Sequence, residues 1–258
     1  MTAPQPPLPL YAFVDLDDSL FSSARKCPPG AALQPAALLQ NGEIISFTSA
    51  RQRLLLDWLQ RGATLIPVTA RSVQGLARVL LAFPGPAVAS FGGVVLDEQR
   101  QPDPLWAGQM RAVLSGAQAL LADACAELGA AIAAHRIDAR ARLVEEWGQS
   151  QYLLIKHGSA DVVVLAALRS TLLQPWAAAR PGWRVFQNDN NLVLLPPGLD
   201  KAHAVAHLMA QLRQRHGEIV TLGLGDSLSD AGFLGLCDYA MTPRHSQLSQ
   251  RLSDETPA

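Results

Sequence analysis

Short apolar runs that each stop at a polar or glycine-rich junction constrain this chain most. Tyr11–Val14 ends at Asp15, Leu65–Val68 ends at Thr69, Ala87–Ser90 runs into Gly92-Gly93, and the run from Ile219 ends in Gly223-Leu224-Gly225-Asp226. Such runs are too short for helices and lack an alternating polar face, so they read as strands buried on both sides. Segments of helical periodicity lie between them. Arg51–Arg61 carries Leu54, Leu55, Trp58 and Leu59 on one face, with Gly62 as its stop. Ser72 is expected to cap a helix running through Ala82, with Pro84 beyond it, and a further helix is expected from Lys201 to about Arg215. A short helix from Ser229 and a short strand near Asp238–Met241 complete the series. Alternating strands and helices predict a parallel α/β sheet.

The middle of the chain differs. Gln109–Ala134 is rich in Ala and Leu and reads as one long helix, or as two broken near Gly116 or Gly129. Strands are expected at Arg142–Glu146 and Gln151–His157 around Gly148, then a second helix, or a strand passing into one, over Asp161–Leu173. Arg184–Gln187 and Leu192–Leu195 straddle Asn188-Asp189-Asn190-Asn191, a strong hairpin signal, and Pro196-Pro197-Gly198 closes the segment. The expected organisation is therefore a Rossmann-like α/β core, residues 1–98 and 197–258, interrupted by an α+β insert with an antiparallel sheet, residues 99–196.

Composition narrows the partners. The 258 residues carry 21 basic and 22 acidic side chains, a balance that supplies no electrostatic footprint for nucleic acid or an anionic membrane. Cys27, Cys125 and Cys237 are widely spaced and form no C-x-x-C pair, which argues against a disulfide framework or a cysteine zinc site. Met1–Pro9 lacks the basic and apolar segments of a secretory signal. No run reaches the ~18 apolar residues of a membrane span; the most apolar long stretch, Ala117–Ala134, contains Asp123 and Glu127. The expectation is a soluble cytoplasmic protein, monomeric or a small homo-oligomer.

Chemistry gathers at the strand ends, where ligands of open α/β sheets bind. Asp15-Leu16-Asp17-Asp18-Ser19-Leu20 follows the first run, Thr69-Ala70-Arg71 follows the second, Lys201 opens a helix after the Pro-Pro-Gly segment, and Gly225-Asp226-Ser227-Leu228-Ser229-Asp230 ends the last. Each alone is ordinary: strand-end aspartates often serve turns, and a lone lysine before a helix is usually solvated. The order of acidic pair, hydroxyl, lysine and acidic pair resembles the four motifs of the haloacid dehalogenase-like (HAD) phosphohydrolases. Thr69 lies 54 positions after Asp15 and Lys201 lies 132 after Thr69, so an insert fits only between motifs two and three. That placement resembles the second cap type, in the subclass of sucrose-phosphate, trehalose-phosphate, mannosylphosphoglycerate and Cof-type sugar phosphatases. Asp18 stands where the family often has Gly, and Ser229 where many relatives have Asn.

Elementary electrostatics runs parallel to the resemblance. Two carboxylates ~4–5 Å apart repel by roughly 3–4 kcal/mol at an effective dielectric of about 20, so converging carboxylates take up protons or bind a cation. Oxygen-only ligation with room for water favours Mg2+ over zinc.

The resemblance implies roles residue by residue. Asp15 would be the nucleophile that forms an aspartyl-phosphate, and Asp17 the general acid and base, its main-chain carbonyl on the metal. Thr69 and Lys201 would hold the phosphoryl group, joined by main-chain N–H groups of Leu16, Asp17 and Ala70. Asp15, Asp17, Asp226 and Asp230 would form the Mg2+ site, with Asp230 ligating directly or orienting waters. The implied activity is hydrolysis of a small phosphorylated metabolite, a sugar or sugar conjugate. A mannosyl-3-phosphoglycerate phosphatase-like enzyme or a phosphomutase is the alternative within the superfamily, and a non-catalytic phosphosugar-binding protein is the alternative outside catalysis. No G-x-S-x-G elbow supports an acyl hydrolase.

Other residues carry less. Arg71 is open between phosphate contact and pairing with a surface acid. His203 and His207, four apart on a helix, lack an evident third metal ligand and are expected to be solvated or half-buried. Trp147, Trp176, Trp183 and His157 are expected in the insert's core rather than against a sugar ring. Arg140, Arg142 and Lys156 are expected on a solvated face.

Overall fold

A computed structural model describes residues 7–254; the prolines of residues 1–6, part of the leader reading above, lie outside them. The chain divides into two compact units, one from residues up to 103 and from 201 onward, the other from residues 104–200.

The first unit opens with β1 (Leu10–Val14), β2 (Ser22–Ser23), β3 (Gln34–Leu38) and β4 (Ile44–Thr48). Helix α1 (Ala50–Gly62) follows, started by a capping box in which Ser49 and Gln52 satisfy each other's main-chain amides. Next come β5 (Thr64–Pro67), the short α2 (Val73–Leu76), β6 (Ala87–Ala89) and β7 (Val94–Leu96). In the second unit α3 (Pro104–Ser115) and α4 (Gln118–Ala134) precede β8 (Ala139–Glu146) and β9 (Gln149–His157). α5 (Val162–Leu168) and α6 (Gln174–Ala178) then lead to β10 (Arg184–Asn188) and β11 (Asn191–Leu195). The chain returns to the first unit with α7 (Lys201–His216), β12 (Val220–Leu224), α8 (Ala231–Leu234), β13 (Tyr239–Met241) and α9 (Gln247–Asp254).

The first unit's principal sheet is parallel, in the order β13-β12-β1-β5. A single parallel bridge, Val68 to Val88, carries the order on toward β6. Phe13, Ala12, Val14, Leu65 and Ile66 are almost wholly buried, as expected of strands covered on both faces. In the second unit the sheet is antiparallel, β10-β11-β9-β8. Its Leu153, Ile155, Leu192 and Leu194 pack against Leu121, Ala124, Leu128 and Ile132 of α4 and Leu165 and Leu168 of α5. The hairpin at Trp147-Gly148 takes both residues to positive φ, 48° and 78°, the primed-turn geometry that suits twisted strands.

Two expectations are corrected and one element is new. The helix capped by Ser72 stops at Leu76 rather than reaching Ala82, because Leu80 donates to the Ala36 carbonyl (2.8 Å) and Leu38 to that of Arg78 (3.0 Å), drawing the segment onto β3. The small β2-β4-β3 antiparallel sheet, with shifted register around Pro35 and Ala37, has no counterpart in the sequence reading. Trp147 is exposed, since it occupies the turn, whereas Trp176 and Trp183 form an edge-to-face pair at 5.0 Å against the second unit's core. Of the two breaks considered for the long helical stretch, the one near Gly116 is realised. Among the described residues no single helix is long and apolar enough to cross a membrane.

Candidate active site

The parallel register sets the site. Val14 pairs with Leu224 on β12 and with Pro67 on β5. The pattern runs one step past the strands: Asp15 donates its amide to Leu224 (2.7 Å) and Val68 donates to Val14 (2.8 Å). Asp15, Thr69 and Asp226 therefore leave three adjacent strands at one sheet edge. Leu16 and Ala70 follow Asp15 and Thr69 there, Leu16 with its side chain fully buried.

Lys201, the first residue of α7, completes the arrangement. Its ammonium donates to Asp15 Oδ1 at 2.8 Å and to Asp230 Oδ1 at 2.6 Å, in a setting where all three side chains are buried. Carboxylate oxygens of Asp15, Asp226 and Asp230 lie within 4.8 Å of one another. Three buried carboxylates face one buried ammonium, an excess of negative charge that suits a divalent cation. The protonation tendencies agree. Burial pushes the Asp15 carboxyl well above the usual carboxylate range, Lys201 opposes the rise, and Asp230 and Asp226 add to it. For Lys201 burial acts downward, but Asp15 and Asp230 outweigh it and the net movement is upward.

Asp230 is the most committed of the acids. Its Oδ2 accepts from the amides of Asp226 (3.2 Å) and Ser227 (2.9 Å) and from the Ser227 hydroxyl (2.8 Å), while Oδ1 faces Lys201. It braces the loop after β12 and holds the lysine. Gly225 is required beside it, because a Cβ there would sit 2.6 Å from Asp230 Cβ.

Asp17 stands apart from this cluster. Both its oxygens accept from Arg71, Nε to Oδ2 and Nη2 to Oδ1, each at 2.7 Å. The guanidinium lies 5.1 Å over the Phe21 ring. Burial works against the Arg71 charge, but its pairing with Asp17 outweighs that and raises its pKa. Of the two readings open for Arg71, the structure shows pairing with an acid, and that acid belongs to the first motif. The Arg71 amide donates to Thr69 Oγ1 (3.1 Å), which leaves the hydroxyl hydrogen available to another acceptor. Asp18 adopts φ 66°, a left-handed conformation that explains why glycine suits this position and aspartate tolerates it; its carboxylate pairs with Lys26.

Two contributors lie outside the residues assigned roles from the four motifs. Ser90, Phe91 and Gly92 take three successive positive φ values, 51°, 56° and 94°. Their turn is stitched to the second motif, Ser90 N to Arg71 O (2.8 Å) and Phe91 N to Thr69 O (3.2 Å), and the Phe91 ring lies 5.8 Å from Lys201 Nζ. Gly92-Gly93 was the only sequence signal there. Ser227 is the other, as a donor to Asp230. His207 pairs with Asp103 (3.1 Å), which also accepts from Gln211 (2.6 Å), and is not part of the acidic cluster.

Several solved structures share this fold. The C-terminal domain of a trehalose-6-phosphate phosphatase from C. albicans is 16% identical, with 88% of this chain and 73% of that one covered, at a TM-score of 0.53. A trehalose-6-phosphate phosphatase related protein is 16% identical over 92% of this chain and 89% of its own, at 0.52. The sucrose-phosphatase of Synechocystis sp., solved with sucrose and phosphate, is 15% identical over 95% and 96%, at 0.50. The chain shares the fold of these solved phosphatases. No family model and no curated protein matches the sequence.

Proposed function

We propose that this chain is a Mg2+-dependent phosphomonoesterase acting through an aspartyl-phosphate on a phosphorylated sugar or sugar conjugate. The observation that carries the reading is the buried cluster of Asp15, Asp226 and Asp230, with Lys201 bound to two of the three. Asp15, Asp226 and the Asp17 main-chain carbonyl would hold the ion, with Asp230 behind them, since its oxygens already serve Lys201 and the loop. Bound Mg2+ would supply countercharge to the phosphoryl group.

This chain's own residues would do the rest. Lys201 engages Oδ1 of Asp15, so Oδ2 is the oxygen that attacks phosphorus as the ester bond breaks. Asp17 would give its proton to the departing alcohol oxygen, then take one from the water that attacks the phosphoenzyme, releasing phosphate and restoring Asp15. Thr69 and Lys201 would donate to the phosphoryl oxygens. Residues 104–200 are read as the segment that selects the leaving group, and the sugar assignment rests on the likeness to sugar phosphatases. Hydrolysis of p-nitrophenyl phosphate in Mg2+, lost in EDTA and in Asp15→Asn, tests the reading; turnover that persists in Asp15→Asn would overturn it.

A further inference from the structure

Asp17 presents a difficulty for the reaction just described. A carboxyl whose two oxygens both accept from one guanidinium is held facing it and reaches an ester oxygen elsewhere only by turning away, and both oxygens of Asp17 are so engaged, at 2.7 Å each. Either the fork parts during the cycle or Asp17 does not act. We propose that Arg71 is a phosphate-binding residue that exchanges partners: the incoming phosphoryl group draws its guanidinium from Asp17, and that same event frees Asp17 to act. This rests on the phosphatase reading and names how its acid and base is held and released.

Four observations favour exchange over a fixed brace. A phosphoryl group offers the guanidinium the same two-oxygen geometry as a carboxylate, with more charge, so it is a competent competitor. Arg71 lies two residues after Thr69 and its amide bonds the Thr69 hydroxyl oxygen, so both side chains issue from one short loop at the edge bearing Asp15. The guanidinium rests over the Phe21 face, contact that holds the plane without binding it to one partner. Finally, the Asp17 side chain is 48% exposed whereas that of Arg71 is 18% exposed, so the acid is the member of the pair with room to turn away. No bond is made or broken in the exchange; one ion pair replaces another.

Calorimetric titration with inorganic phosphate in Mg2+ tests the exchange independently of turnover. Arg71→Gln is expected to bind phosphate about tenfold more weakly, the equivalent of ~1.4 kcal/mol, and to raise KM for p-nitrophenyl phosphate in step. Arg71→Lys, which keeps the charge but not the fork, should fall between Arg71→Gln and wild type, and it decides the matter alone if Arg71→Gln does not melt cooperatively. A fixed brace would lower kcat and leave KM and phosphate affinity unmoved; that result overturns the proposal. So does a crystal structure with phosphate bound and the Arg71–Asp17 fork intact, whereas a parted fork with Arg71 on a phosphate oxygen supports it. A wild-type protein inert toward p-nitrophenyl phosphate would remove the phosphatase reading instead, leaving the phosphate titration to judge Arg71.

Discussion

Replacing Lys201 by methionine keeps its bulk and removes its charge, and the structure sets the size of the effect. The ammonium makes two charged hydrogen bonds, 2.8 and 2.6 Å long, to carboxylates with almost no solvent contact. Each pair of carboxylates within 4.8 Å repels by roughly 3–4 kcal/mol at an effective dielectric of about 20, and Lys201 is the buried cation set against that repulsion. Breaking a buried ion pair from one side costs about 3–5 kcal/mol, which at ~2–4 °C per kcal/mol for a chain of this size is a fall of about 10 °C in Tm. The assay is thermal unfolding followed by circular dichroism at neutral pH, in chelator and in Mg2+. Because the variant's cluster lacks its buried ammonium, Mg2+ should raise its Tm by more than it raises that of the wild type. A variant melting within about 2 °C of wild type in chelator, or stabilised equally by Mg2+, would refute the charge argument.

Asp15→Asn should lose turnover of p-nitrophenyl phosphate by at least about 10³ yet melt no lower than wild type in chelator, because it removes the repulsion of Asp15 by Asp230 and Asp226 while Lys201 keeps its bond to Asp230. The same raised pKa gives the metal-free protein a pH dependence. The folded chain keeps a proton that the unfolded chain has released, so stability present at low pH declines as pH rises from about 4 through the folded pKa of Asp15. Melting curves across that range should show the decline in chelator and a flatter profile in Mg2+. Gly225→Ala brings a Cβ to 2.6 Å from Asp230 Cβ and 3.0 Å from its Cγ, so the loop must shift; a loss of about 1–3 kcal/mol in denaturant unfolding and weaker Mg2+ binding by calorimetry are expected.

The strands at the site were legible because each is a short apolar run closed by a residue with chemistry, a pattern that local rules capture. The rest depended on distant partners. Residues 22–48 hold a two-residue strand and a strand whose register shifts twice around Pro35, too irregular for a period-2 signal. The helix begun at Ser72 carries an apolar pattern to Ala82, and what ends it is a backbone bond to Ala36, some forty positions away. In the site, the order of the motifs indicated that Asp15, Lys201, Asp226 and Asp230 belong together, and 186 positions of sequence indeed collapse to a 2.8 Å contact between the first two. Motif order says nothing about side-chain direction, which is why Asp17 read as one acid of a group of four and is found facing Arg71.

Departures from local preference carry information of their own. Among the described non-glycine residues with positive φ, Arg100, Arg136, Trp147 and His245 are exposed and belong to turns, where the conformation costs little that solvent and sequence do not absorb. Ser90 and Phe91 are different: both are buried, one is bulky, and such conformations cost of order 1–3 kcal/mol each. They persist because the surroundings over-determine them, with both amides bound to the loop of Thr69 and Arg71 and the Phe91 ring set against Lys201. Backbone strain is thus concentrated on the segment that fixes Thr69, Arg71 and Lys201 relative to Asp15. A relaxed turn there would leave the lysine with more freedom than a site built on its 2.6–2.8 Å charged contacts to Asp15 and Asp230 can tolerate.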